Sequence, residues 1–194
     1  MRRRTLLLAA AALPLGCRSP DPRLYTLSAA PGPVVSGGPR AITLRQVSLA
    51  RYLERQEIVR SSEDFRIEVE ANDWWGEPLG AMIGRVLVES LGQRLAGTQV
   101  FSEGGAISPD ASARVEVNIL RLDADRSGAV VLVAQVAVAP PSGEPTAHQI
   151  RLSVRPSGTS LADQVAATSA AVGKLADAIA GEVAAAGPGR RSAS

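Results

Sequence analysis

The sequence predicts an α+β fold, a mostly antiparallel sheet of about five to seven strands packed with two helices in a single domain. Phe65, Ile67 and Val69 alternate with Arg66, Glu68 and Glu70, the period of a strand with one wet face. Residues 129–139 form a nearly continuous Val/Ala/Leu run, as in a central strand. Leu161, Val165, Thr168, Val172, Leu175, Ile179 and Val183 step by four and three, as on the buried stripe of a helix.

The remaining elements follow along the chain. Ile42, Leu44, Val47 and Leu49 begin a strand, and residues 58–60 and 65–70 supply two more. Asn72-Asp73-Trp74-Trp75-Gly76-Glu77-Pro78 breaks the alternation, and Pro78 suits the first turn of a helix. Leu79, Met82, Ile83, Val86, Leu87, Leu91 and Leu95 continue at helical spacing to Gly97, a terminating residue. Val100-Phe101 is a short strand, and Gly104-Gly105 with Pro109-Asp110 marks a loop. Val115, Val117 and Ile119 keep a strand's period if a bulge near Leu120 resets the register. Asp125-Arg126-Ser127-Gly128 is a hairpin turn into the central run, which Pro140-Pro141-Ser142-Gly143 closes. Residues 148–154 add a strand, and the second helix runs to about Ala185 with Ser160 as N-cap and Asp163 in its first turn.

Ahead of this body, residues 1–16 have the order of an export signal: Arg2, Arg3 and Arg4, an apolar run over residues 6–15, then Gly16. Ten residues rise only about 15 Å as a helix, half of a hydrocarbon core, so the run is a signal and not an anchor. Cys17, the only cysteine, follows in the place of a lipid acceptor. Pro14 and Leu15 depart from the usual lipobox, and an ordinary signal peptide with an incidental cysteine is the alternative. Arg3-Arg4-Thr5-Leu6-Leu7 leaves Sec and twin-arginine export both open. Residues 17–40, rich in Pro, Gly, Ser and Ala, read as the lipidated cysteine and a flexible tether with Arg23-Leu24-Tyr25-Thr26-Leu27 as a short strand inside it. A reach of roughly 25 Å follows for such a linker. The α+β domain spans 41–186, and 187–194 reads as a disordered tail.

The chain's formal charge is +2, from 21 basic and 19 acidic residues. Residues 1–16 hold three arginines and no acid, so without them 18 basic residues face 19 acidic ones, a net −1. No basic stripe with interleaved aromatics remains, which argues against nucleic acid as a partner. His148 is the single histidine and has no thiol to work with once Cys17 is acylated, so a Cys/His nucleophile pair is excluded by count. The chain has no nucleophile elbow, zincin motif, phosphate loop or dinucleotide fingerprint. Glu54 with Glu57 and Glu63 with Asp64 read as solvated charge in connecting segments. No enzyme activity, cofactor or metal is expected. Trp74 and Trp75 are adjacent, so in extended backbone they point to opposite sides. Either Trp74 or Trp75, with Tyr52, packs against the first helix, or one of these residues anchors a protein partner.

Specific strings resemble a known family. Tyr25-Thr26-Leu27 soon after the cysteine, Val47 with Leu49, Tyr52-Leu53-Glu54-Arg55, Ile58-Val59-Arg60, Trp74 with Glu77-Pro78-Leu79 and a closing Ala/Leu helix resemble the PqiC-type auxiliary lipoproteins of ABC transport systems. The likeness runs from Leu24 to Val183 in order and spacing, with Ala50-Arg51 in place of the usual proline before the tyrosine and Gln56-Glu57 in place of a Pro-Gln pair. The resemblance implies a periplasmic lipoprotein, usually of the outer membrane, that partners an MCE-domain protein and an ABC permease/ATPase complex in moving phospholipids or other hydrophobic molecules between membranes. It also implies a homo-oligomeric ring. By analogy Tyr52, Leu53 and Arg55, with Trp74 and Trp75, shape the fold or a partner-binding surface. A lipid-anchored envelope protein with a structural or assembly role unrelated to transport is the alternative.

Overall fold

The computed structural model describes residues 21–107, 111, 113–140 and 144–187. The export signal, Cys17, the tail beyond Gly187 and the expected loop residues 108–110 and 141–143 lie outside the described residues. In chain order the elements are strands β1 (Arg23–Tyr25), β2 (Val35–Ser36), β3 (Ala41–Leu44) and β4 (Ser48–Leu49), a 3-10 turn (Arg51–Leu53), strands β5 (Glu57–Ser61) and β6 (Glu68–Trp75), helix α1 (Leu79–Arg94), strands β7 (Leu95–Ala96), β8 (Gln99–Ser102), β9 (Ala113–Ala124), β10 (Val130–Ala139) and β11 (Thr146–Val154), and helix α2 (Leu161–Ala185).

β9 organises the sheet. One of its edges pairs antiparallel with β10, which pairs antiparallel with β11. Its other edge takes β3, β4 and β5 in succession, all parallel. β8 lies outside β3, β6 lies antiparallel outside β5, and β1 joins β6 in parallel. The sheet thus holds nine strands, more than the five to seven expected, because runs of two to four residues at its margin are recruited as parallel partners. The long ladders are antiparallel, as expected, and the bulge falls where the alternation broke: Ile119 faces Ala134 while Arg121 faces Val133, leaving Leu120 as the extra residue. The turn into β10 closes through Gly128 N–H to the Asp125 carbonyl at 2.8 Å, with Gly128 at φ +79°, a conformation glycine adopts without a Cβ penalty.

Alternate residues of β10 (Val130, Leu132, Ala134, Val136 and Val138) form the floor of the core, with Val115, Val117 and Ile119 of β9 beside them. The two helices pack on each other, α2 against β9 to β11 and α1 against β8. Their buried stripes are the residues whose spacing predicted them, Leu79 to Leu91 in α1 and Leu161 to Val183 in α2. α2 starts in a capping box: Asp163 N–H donates to Ser160 Oγ at 3.1 Å while Ser160 N–H donates to the Asp163 carboxylate at 3.1 Å. α1 stops at Arg94, short of Gly97, because Leu95 and Ala96 pair with β2.

Two expectations change on the structure. The segment read as a tether is laid against the body from Arg23 onward. Leu27 is buried, its N–H meets Met82 Sδ at 3.1 Å, and Ser28 N–H donates to Ser169 Oγ at 3.3 Å. Arg94, 1 % exposed, clamps it by donating to the Ala30 and Gly173 carbonyls and to Asp177 at 2.5 Å. A Cβ on Gly32 would lie 2.3 Å from the Arg94 guanidinium, so glycine is required for that approach. Its Pro/Gly/Ala composition encodes a strap without regular structure that fits a seam between helices, and composition alone does not distinguish that from a free linker.

The second change concerns the strand whose alternation was clearest. Phe65, Ile67 and Val69 do not face the core: they are 111 %, 47 % and 39 % exposed. β6 instead begins at Glu68 and runs through Trp75, absorbing the residues read as a break in a bulge, since Glu57 faces Trp74 while Ile58 faces Glu70. Asp64 and Phe65 both have left-handed backbone, φ 54° and 62°, at a cost of about 1–2 kcal/mol each. Ion pairs hold this tip: Arg126 with Asp64, and Arg121 with Glu63 at 2.6 Å.

Candidate functional site

A cleft of about 1500 Å³ opens on the side of the sheet where its strands carry polar side chains. Its floor is an amide row across three paired strands, Asn118, Gln135 and Gln149, with Asn118 Nδ2 donating to Gln135 Oε1 at 3.0 Å. One wall runs from Arg45 to Leu49 and from Glu54 to Gln56; the other is the β6 to α1 junction from Trp75 to Ala81. Gly80 lets the helix approach, since a Cβ there would sit 3.1 Å from the Val47 carbonyl. Arg45 bridges Glu103 and Glu116 at 3.3 and 3.0 Å, and the resulting hydrogen bond from Arg45 holds the Glu103 carboxyl below its ordinary value. Arg55 has no ion-pair partner among the described residues and is exposed at the rim. Amides and mixed charges over an apolar margin of Val47, Leu49 and Leu79 match the groups of a polypeptide better than those of a bare acyl chain.

The residues singled out from sequence divide around this cleft. Arg55 and Trp75 line it, Trp75 with most of its indole in the core. Tyr52 and Leu53 hold its wall from within. Leu53 is buried, and the Tyr52 hydroxyl donates to Asp123 at 2.7 Å. Burial, then the hydrogen bond to Asp123, pushes the Tyr52 phenol far above its ordinary value, so it stays a donor at any physiological pH. Asp123 is buried and also accepts from Ser62 Oγ at 2.7 Å and Arg121 Nε at 2.9 Å. Trp74 points to the other side, half-buried, its indole N–H donating to the Ala71 carbonyl at 3.0 Å across the β6 bulge. The adjacent tryptophans therefore part as extended backbone requires, one into the core and one away.

Asp123, Arg121 and the amide row were missed in the sequence. Their signal was present for the row, since Asn118 and Gln135 are polar positions alternating with buried ones. For Asp123 only Arg121, two positions before it, was near in sequence; the hydroxyl donors Ser62 and Tyr52 lie 61 and 71 positions away.

Two of the strings that carried the resemblance meet at one junction. Tyr25 and Trp75 are neighbours in the parallel pair, and Gly76 N–H donates to the Tyr25 carbonyl at 2.8 Å. Arg85 of α1 then joins Glu77 at 2.6 Å and Thr26 at 3.3 Å. The family model of the ABC-type transport auxiliary lipoprotein component matches residues 25–180, from this junction to near the end of α2's buried stripe. The chain belongs to that family. Two crystal structures have the same fold. One, of an uncharacterized protein, has a TM-score of 0.71 at 18 % identity, covering 84 % of this chain and 99 % of the other. The second, protein XCC0632 from Xanthomonas campestris, has a TM-score of 0.65 at 16 % identity over 84 % of this chain and 95 % of its own. No curated protein matches the sequence. As a member of the auxiliary lipoprotein family, the chain is a component of an ABC-type transport system, and its cleft is a surface to be read in that context.

Proposed function

We propose that this protein is a non-enzymatic, lipid-anchored subunit that docks on the other members of an ABC and MCE-type system moving phospholipids or other hydrophobic molecules between the inner and outer membranes. The family match over residues 25–180 carries the reading. The cleft supports a docking role, because its amide floor and charged rim suit a polypeptide. Arg55 and Trp75 are its contact residues, while Tyr52 and Leu53 keep its wall in place and Trp74 serves the β6 bulge. Cys17 carries the lipid, on the periplasmic face of the outer membrane, and a ring of copies presents several clefts together.

Native-level expression and mild detergent extraction test this. The protein is expected to co-purify with an MCE-domain protein and a permease/ATPase pair, and Arg55→Glu is expected to reduce that recovery at least tenfold with an unchanged melting temperature. Recovery of the other members together, repeatedly without this chain, would overturn the proposal.

A further inference from the structure

We propose that the tip of the β5 to β6 hairpin is a wedge that docks into the bilayer holding the lipid of Cys17; the inference rests on the lipoprotein reading above. Phe65 is fully exposed in the turn of the hairpin, and Ile67 and Val69 after it are 47 % and 39 % exposed. Large apolar side chains exposed together at a turn have the form of a surface made to be covered. The left-handed backbone at Asp64 and Phe65 is held by the fold's own ion pairs, so the aromatic ring is presented by design of the loop and not by fraying.

Charge points to the occupant. Among the described residues Glu63 and Asp64 are engaged by Arg121 and Arg126, and Asp125 accepts from Ser127 and Ala129 N–H. Arg66 and Arg155 have no acidic partner among those residues, against Glu68 as the one acid of the tip in the same state. An exposed phenyl ring flanked by free guanidinium groups fits the boundary between headgroups and acyl chains.

The chain's path decides which end meets the membrane. β1 runs parallel to β6 with Arg23 level with Asp73, so the polypeptide entering β1 comes from the direction of the hairpin tip. Cys17 is six Cα steps before Arg23, about 20 Å at full extension. The tip lies about the same distance ahead of Asp73 along the bulged strand. The short connection thus draws this end of the body to the lipid surface.

The test uses the full-length acylated chain in vesicles of phosphatidylethanolamine and phosphatidylglycerol. An environment-sensitive fluorophore is placed on Ile67→Cys, or on Glu144→Cys at the opposite end of the sheet. The label at 67 is expected to be about threefold less quenched by aqueous iodide than the label at 144. Phe65→Ser in the Ile67→Cys background is expected to abolish that protection without shifting the melting temperature. Arg66→Glu with Arg155→Glu is expected to halve it, or more, in vesicles containing phosphatidylglycerol. A chain that floats with the vesicles yet shows equal quenching at 67 and 144 overturns the wedge alone. Protection at 67 that arises only when an envelope extract is added also overturns it, in favour of a protein partner. A chain that fails to float overturns the lipoprotein reading and the wedge with it.

Discussion

Two stripes of alternating apolar residues end in opposite places. On β10, Val130, Leu132, Ala134, Val136 and Val138 share one face and are buried beneath the helices. On the β5 to β6 hairpin, Phe65, Ile67 and Val69 alternate in sequence just as regularly and are exposed, Phe65 fully. The local pattern is the same and the environments are not. A period of two fixes which residues lie together; only the elements stacked against them determine whether that face is covered. β10 lies between β9 and β11 with α2 across it, whereas Phe65 is fully exposed and Ile67 and Val69 are left partly exposed.

The largest expected effect falls on the covered stripe. Leu132→Ala removes a fully buried side chain and is expected to cost about 2–5 kcal/mol, measured by urea denaturation. A cost below about 1 kcal/mol would mean that the β10 floor is not the core. Next comes the bolt between the two regions, where the hairpin base is tied to the β9 ladder. Asp123→Ala leaves the Tyr52 and Ser62 hydroxyls without their acceptor and Arg121 with one acid fewer, at an expected cost of about 2–3 kcal/mol. It should also raise hydrogen exchange over residues 57–75 more than over β10 and β11.

Acid supplies a third, smaller test. Hydrogen bonds from Arg23 hold the Asp73 carboxyl below its ordinary 3.8, those from Ser127 do so for Asp125, and those from Ser160 for Asp163. In each case the unfolded chain takes up the proton first as pH falls. The stabilisation is therefore complete above pH 3.8 and is lost progressively below it, through the lower folded-state values. Ser160→Ala, which removes the cap of α2, should cost about 1 kcal/mol near neutrality and lessen the loss on acidification, read from melting curves between pH 7 and 2. The smallest effect belongs to the uncovered stripe: Val69→Thr is expected to change stability by less than about 0.5 kcal/mol. A loss several times larger would show that the stripe is covered within the folded chain after all.

Much of this could be read along the chain. The capping box of α2, the bulge at Leu120 and the turn at Asp125 to Gly128 depend on residues a few positions apart, whose spacing and conformational preferences already contain the geometry. The opposed tryptophans and the helix stripes are of the same kind. The strap was not legible, because Gly32 and Ala30 acquire their meaning only from Arg94 and Gly173, which lie in two helices. The cleft was legible only in pieces: Arg55 and Trp75, singled out from the sequence, line it, but the amide row becomes a floor only when three strands align Asn118, Gln135 and Gln149.

By itself the sequence determined the two helices, the alternation of the strands and, through short strings spread from Tyr25 to Leu79, the family. Tertiary structure decided which apolar face is covered, that the Pro- and Gly-rich segment is a strap, and that Asp123 rests among three donors. The physical reason is range. Backbone preference and periodicity act within a turn or a strand, while burial and the pairing of charges are settled by residues tens of positions away that only the folded chain brings within hydrogen-bond distance.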